Sequence, residues 1–213
     1  LYCKIKGEVQ LGFLLENSEL ELYLKESEII DYHHSRIQTL VEELKTKASD
    51  EINYTKEAFE FVRDAISHSG DIQARQVTCK ASEVLLLKHG NCCGKSHLLA
   101  AILRAAGIPT GFCYQMVLSD EVDNLLLLHG LNAVFLRTIN RWIRLDARGN
   151  NENVNAQFNL ESEQLAWPIR SELGERDGLV IYSVPKEEVV YALLNADNRQ
   201  KLGKLWPREI VPR

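Results

Sequence analysis

The sequence predicts an α+β domain, and three observations carry that prediction. Segments with helical periodicity fill the first half of the chain, whereas short β-forming runs fill the second, so helices and strands are segregated rather than alternating. The texture switches at one place, Gly107-Ile108-Pro109, where a run of strong helix formers gives way to Val-, Phe- and Tyr-containing stretches separated by turn residues. The 213 residues, 45% of them hydrophobic, suffice for one domain with a buried core, so residues 1–213 are read as a single domain.

Each element has its own signal. Weak alternation around Glu19–Leu24 predicts a strand. "HSRIQTLVEELKTKA" shows helical periodicity, and "DEINYTKEAFEFVRDAISHSG" shows it more strongly: Asp50 is placed to cap, Phe59, Val62 and Ile66 share a face, and Ser69-Gly70 is the expected stop. "CKASEVLLLKHG" predicts a helix ending at Gly90. "NCCGKSHLLAAILRAAGIP" is the clearest helix, with Asn91 as N-cap and "GIP" as terminator. "TGFCYQMVL", "HGLNAVFL" and "RWIRLDA" then predict strands, the last two joined as a hairpin around "RTIN". Beyond Gly149 the chain is Asn-rich and irregular, with "GLVIYS" read as a strand and "KEEVVYALLNA" as a helix. The basic tail "DNRQKLGKLWPREIVPR" is expected to pack on or trail from the surface.

Charge and cysteine usage narrow the function classes. The formal charge of −5 disfavours a dedicated binder of nucleic acid or of anionic membranes. No run approaches the roughly 18 apolar residues of a membrane span. Five cysteines, an odd number with two adjacent, make no disulfide framework and fit a reduced, cytoplasmic protein. Because the chain begins at Leu1 without an initiator Met, a removed leader is compatible with that expectation. The Cys and His spacings match no familiar zinc pattern, so neither metal nor cofactor is expected.

Residues 89–97, "HGNCCGKSH", admit two readings. "GKS" suggests a phosphate-binding loop, but that loop has four residues between its glycines, and only three separate Gly90 from Gly94. The alternative is a reactive thiol. A helix starting near Asn91 puts Cys92 in its first turn, where unpaired N–H groups and the positive dipole end favour a thiolate and could also receive an oxyanion. At ~100° per residue, Leu98, Leu99, Ile102, Leu103 and Ala106 form one stripe; Cys92 projects within about 50° of its centre and Cys93 about 150° away. Cys92 is therefore expected to face the body of the protein and Cys93 to face away. From position alone, Cys92 reads equally well as a buried structural thiol. A redox pair at Cys92–Cys93 ranks last, because adjacent cysteines form only strained disulfides.

A nucleophilic thiol needs a base, and the base needs an orienting group. His97 lies about 140° round the helix from Cys92. His33, His34 and His68 fall near helix ends in polar sequence and read as solvated, and His89 precedes a turn. His129 opens "HGLNAVFL", and Asp146 ends the paired strand. An even-length loop puts the two on one face as direct or diagonal neighbours. The structural alternative, a core histidine and a turn-capping aspartate, stays open at this point. Gln115 is no more than a guess for a second oxyanion donor.

These residues carry a resemblance. "GNCCGKSHLLAAILRAAGIP" is similar to the core motif of the transglutaminase-like superfamily, roughly G-x-C-x-x-K-[AS]-x-L-x-A-x-L-R-A-x-G-I-P in bacterial members. "HGLNAVFL" resembles that family's H-x-W-x-E-V-[YF] strand, and "RWIRLDARGN" its G-x-W-x-x-x-D strand. The resemblance runs from about Ala81 to Asn150 and leaves both ends of the chain unplaced. It implies a papain-like core, N-terminal helices packed on an antiparallel sheet, and a catalytic triad of Cys92, His129 and Asp146 working through a thioester. The implied activity is acyl transfer from amide bonds, as a cysteine peptidase or amidase, or with an amine acceptor as a transglutaminase; an inert binding module on the same fold is the remaining option. Its partners would be peptide, protein or small amide substrates. The chain departs from the family pattern at Leu131 (usually Trp), Ala133 (usually Glu) and Ala147 (commonly Pro), so no substrate preference carries over.

Overall fold

The computed structural model describes residues 12–119 and 124–210, so Cys3 lies outside the described residues. The chain runs β1 (Leu14–Leu15), α1 (Ser35–Lys45), α2 (Glu51–Ala65), β2 (Ser67–His68), α3 (Ala81–Leu87), β3 (His89–Gly90), α4 (Cys92–Ala105), β4 (Thr110–Leu118), β5 (Leu126–Leu136), β6 (Arg141–Leu145), β7 (Arg176–Asp177), β8 (Val180–Ile181), α5 (Glu187–Asn195) and α6 (Arg199–Leu205). The fold is α+β: helices α1–α4 come first, and an antiparallel sheet in the order β6-β5-β4-β7 follows. No helix among the described residues is long and apolar enough to cross a membrane.

Several boundaries follow directly from side-chain chemistry. α2 starts where the Asp50 carboxylate accepts the Asn53 N–H at 2.9 Å. β4 spans Thr110–Leu118, the "TGFCYQMVL" run. The β5–β6 turn falls on Arg137–Asn140, where Asn140 takes the left-handed conformation (φ 49°) that the bend demands. β5 and β6 pair from Leu136↔Arg141 to Asn132↔Leu145.

Three local expectations are corrected. Glu19–Leu24 is no strand: Leu20–Leu24 forms a 3-10 turn. Its anchor is Tyr23, fully buried among Cys113, Leu131, Ala133 and Ile181, with its hydroxyl donating toward the carbonyls of Asn17 and Ile181. One deep contact outweighs a weak alternation of leucines. α2 ends at Ala65 rather than at Ser69-Gly70, because the Lys95 ammonium donates to the Arg63 and Ile66 carbonyls and replaces a further helical turn. This frees Ser67–His68 to pair, in parallel, with His89–Gly90, which in turn ends α3 early. The basic tail is held at Trp206, whose Nε1 donates to the Leu128 carbonyl at 2.9 Å.

The third correction concerns α4. Every residue from Cys93 to Arg104 is buried, because α1, α2 and α3 cover the side that the sheet does not. A helix that is apolar nearly all round has no outward face. Cys93 therefore does not point to solvent. It is 2% exposed, and its sulfur lies where a Cβ on Gly130 would come within 2.4 Å. Ser96 Oγ donates to the Gly130 carbonyl at 3.2 Å, and Asn132 Nδ2 to the Ser96 carbonyl at 3.1 Å. α4 is thus seated on β5 at this glycine. Gly130→Ala should push the two elements apart, cost about 1–3 kcal/mol of stability by overpacking, and lower the melting temperature in a thermal scan. Cys93→Ala in the same background should recover most of that loss, whereas an unchanged melting temperature in Gly130→Ala would refute the close fit.

Candidate active site

The site forms where the start of α4 meets β5 and the end of β6. Asn91 fixes the helix start: its side chain accepts the Gly94 N–H and its carbonyl the Lys95 N–H, both at 2.9 Å. Neither bond uses the N–H of Cys92, the first helical residue. Cys92 is half-buried, whereas the residues behind it are fully enclosed, so its sulfur sits at the helix tip with a path to solvent.

His129 lies on β5, 3% exposed, and its Nε2 is 2.8 Å from Asp146 Oδ2. Continuing the β5–β6 register past Leu145 sets Asp146 diagonal to His129. Asp146 is held in turn by backbone donors: Ala166 N–H to Oδ2 at 3.0 Å and Arg148 N–H to Oδ1 at 3.1 Å. With Nε2 committed to the carboxylate, Nδ1 is the ring nitrogen left for the thiol, and the imidazole is hydrogen-bonded to Cys92. The structure therefore brings Cys92, His129 and Asp146 into one hydrogen-bonded line.

The electrostatics polarise that line. The Cys92 thiol is held well below its ordinary range, first by a hydrogen bond from Cys93, against the opposing effect of burial, and then by the charge and hydrogen bond of His129 and a hydrogen bond from His68. Burial alone would lower His129, but the charges of Asp146 and Cys92 and their hydrogen bonds push it up to about 10. Burial would raise Asp146, yet His129 and the two backbone donors bring it below the usual carboxylate range. A thiolate facing an imidazolium results. Cys93 is driven the other way, by burial and by the neighbouring thiolate, and serves as a donor. Cys79 and Cys113 are pushed up to about 12 by burial and behave as small apolar residues.

The phosphate-loop reading fails on Lys95. That side chain is fully buried, turned onto the end of α2, and lowered to about 7, chiefly by burial. The segment before the loop is also mainly helix, not strand. Gln115 pairs with His129 across β4–β5 but spends its amide N–H on Asp177 Oδ1 at 3.1 Å, which leaves it unsuited as an oxyanion donor.

Four neighbours of the line were not singled out from sequence. Trp167 stands edge-on to His129, with ring centroids 4.9 Å apart, and covers the imidazole. Arg148 lies over the Trp167 ring and grips Asp71 with both terminal nitrogens, at 2.7 and 2.8 Å. His68, read from sequence as solvated, is instead a half-buried neighbour of Cys92. Trp167 lies in the irregular stretch after Gly149, where no periodicity marks it. The only sequence signal was its type, a lone Trp among polar residues.

Comparison with known proteins adds three findings. A family model described as the transglutaminase-like superfamily matches residues 38–147, just over half of the chain and ending one residue past Asp146. No curated protein matches the chain. Among solved structures, a putative cysteine protease from Cytophaga hutchinsonii is similar at a TM-score of 0.51 and 17% identity, over 62% of this chain and 43% of that one. A structure described as a TGase gives a TM-score of 0.42 at 15% identity, over 83% of this chain and 51% of that one. A putative protease from Parabacteroides distasonis gives 0.38 at 17% identity, over 58% of this chain and 25% of that one. This chain thus spans about half or less of the length of each.

Proposed function

The chain belongs to the transglutaminase-like superfamily, and from that premise we propose that it is a thiol-dependent acyl-transfer enzyme acting on amide bonds, as a cysteine peptidase or amidase. Cys92 is the nucleophile. Its thiolate attacks the amide carbonyl, the S–C bond forms, and the carbonyl π pair moves onto oxygen, where the Cys92 N–H donates to it. His129 then passes its Nδ1 proton to the departing nitrogen as the C–N bond breaks, leaving a thioester. Asp146 holds the ring in the required tautomer and steadies its charge. Water, deprotonated by the now neutral His129, attacks the thioester and releases the acid.

The observation that carries this reading is the hydrogen-bonded line Cys92–His129–Asp146, with its sulfur at the mouth and its carboxylate sealed inside. Hydrolysis is favoured over transfer to an amine because Cys92 is open to solvent, so the thioester forms within reach of water.

Alkylation by iodoacetamide at pH 5.5 tests the reading. Free cysteine, with a pKa of about 8.5, is only about 0.1% thiolate at that pH, whereas the Cys92 thiolate persists. Peptide mapping should find the label on Cys92 and not on Cys79, Cys93 or Cys113. Labelling at Cys92 no faster than free cysteine would sink the proposal and leave the inert module.

A further inference from the structure

We propose that His68 supplies the second hydrogen bond to the oxyanion, beside the Cys92 N–H. The inference rests on the acyl-transfer reading above. The parallel pairing of β2 with β3 places His68 directly opposite Gly90, two residues before Cys92, so the ring is delivered to the helix tip by backbone hydrogen bonds. The imidazole is bonded to the Cys92 sulfur, and only 16% of its side chain is exposed.

The local backbone fixes which nitrogen faces the sulfur. The Gly70 N–H donates to His68 Nδ1 at 3.3 Å, so Nδ1 is an acceptor and the ring proton sits on Nε2. Gly70 is needed for this fold-back: a Cβ there would lie 3.1 Å from Nδ1. Asp71 Oδ1 is 3.8 Å from Nδ1, too far to hydrogen-bond, and both carboxylate oxygens are spent on Arg148. His68 therefore has no carboxylate orienting it as a base, a role the His129–Asp146 pair already fills. What remains is an N–H donor aimed at the sulfur.

A donor that touches the thiolate before reaction is well placed after it. Once sulfur is acylated, its negative charge has moved to the carbonyl oxygen, one bond beyond the new S–C bond. The Nε2–H of His68 then shifts from sulfur to that oxygen, while the Cys92 N–H donates to the same atom. No proton is transferred, and the amine still takes its proton from His129. The Asp71–Arg148 bridge ties the His68 loop to the strand end carrying Asp146, which keeps donor and base in one frame.

Two reagents separate this role from a structural one. p-Nitrophenyl acetate acylates through a tetrahedral oxyanion, whereas iodoacetamide alkylates by displacement at a saturated carbon and forms none. His68→Phe, which keeps a ring but no donor, should slow acylation about a hundredfold and alkylation less than about threefold. His68→Gln, which keeps an N–H donor, should stay within about tenfold of the parent in acylation. Equal losses in both reactions, undiminished acylation in His68→Phe, or His68→Gln as slow as His68→Phe would each overturn the assignment while leaving the nucleophile in place. A parent protein whose Cys92 reacts with neither reagent faster than free cysteine would overturn both this inference and the function it rests on.

Discussion

Cys92→Ala should eliminate acyl transfer, a loss on the order of a millionfold, comparable to deleting the nucleophile of an established triad. Cys93→Ser should retain activity within about tenfold. The contrast is sharp because the two thiols are adjacent and chemically alike. What separates them is placement. Cys92 stands at the helix tip, half-buried and linked to His129, whereas Cys93 is sealed against Gly130 and pushed toward its neutral form. Cys93 nonetheless contributes, since its S–H donates to the Cys92 thiolate and is the leading cause of that thiol's acidity. Serine keeps an O–H donor there, so the variant should label with iodoacetamide almost as fast as the parent. Cys93→Ala, lacking the donor, should show its alkylation profile shifted to higher pH, since a less stabilised thiolate forms only at higher pH. Intact-protein mass after p-nitrophenyl acetate treatment reads the first comparison directly. An acylated Cys92→Ala and an unmodified Cys93→Ser would show the roles to be exchanged.

The sequence was legible where short-range chemistry decides the outcome. Asn91 caps α4 because an amide side chain before a helix has an N–H to accept, and the four-residue "RTIN" turn sets the β5–β6 register that leaves His129 and Asp146 diagonal. It was not legible where a distant group intervenes. Lys95 ends α2 from 29 residues away, and that early end allows β2 to form and His68 to reach the site. Helical periodicity correctly put Cys92 at the tip of α4. It misplaced Cys93 because a one-sided stripe assumes solvent on the other side, and here three helices occupy it. Trp167 and the Asp71–Arg148 bridge belong to segments with no repeating pattern, so only the folded chain relates them to His129.

His129 and Asp146 should separate by both the size and the pH dependence of their effects. His129→Ala removes the proton donor for the leaving amine and should cost about ten-thousandfold or more in amide cleavage. Asp146→Asn should cost less, about ten- to a hundredfold: its amide oxygen can still accept from His129 Nε2 and the Ala166 N–H, while its NH₂ faces the Arg148 N–H and forfeits that bond. The pH profile tests whether Asp146 does more than orient. In the parent, activity should rise with pH as Cys92 ionises, at a depressed value, and fall as His129 loses its proton, near 10. Both limbs report the coupled pair rather than isolated groups. Among the influences that raise His129, the Asp146 charge is the largest, so a neutral asparagine should let the imidazolium deprotonate earlier. The alkaline limb should then move down by at least about one pH unit, while the acid limb, set mainly by Cys93 and burial, should move far less. A lower rate with an unmoved alkaline limb would reduce Asp146 to a purely geometric part. A displaced limb would show that its charge holds the thiolate–imidazolium pair together.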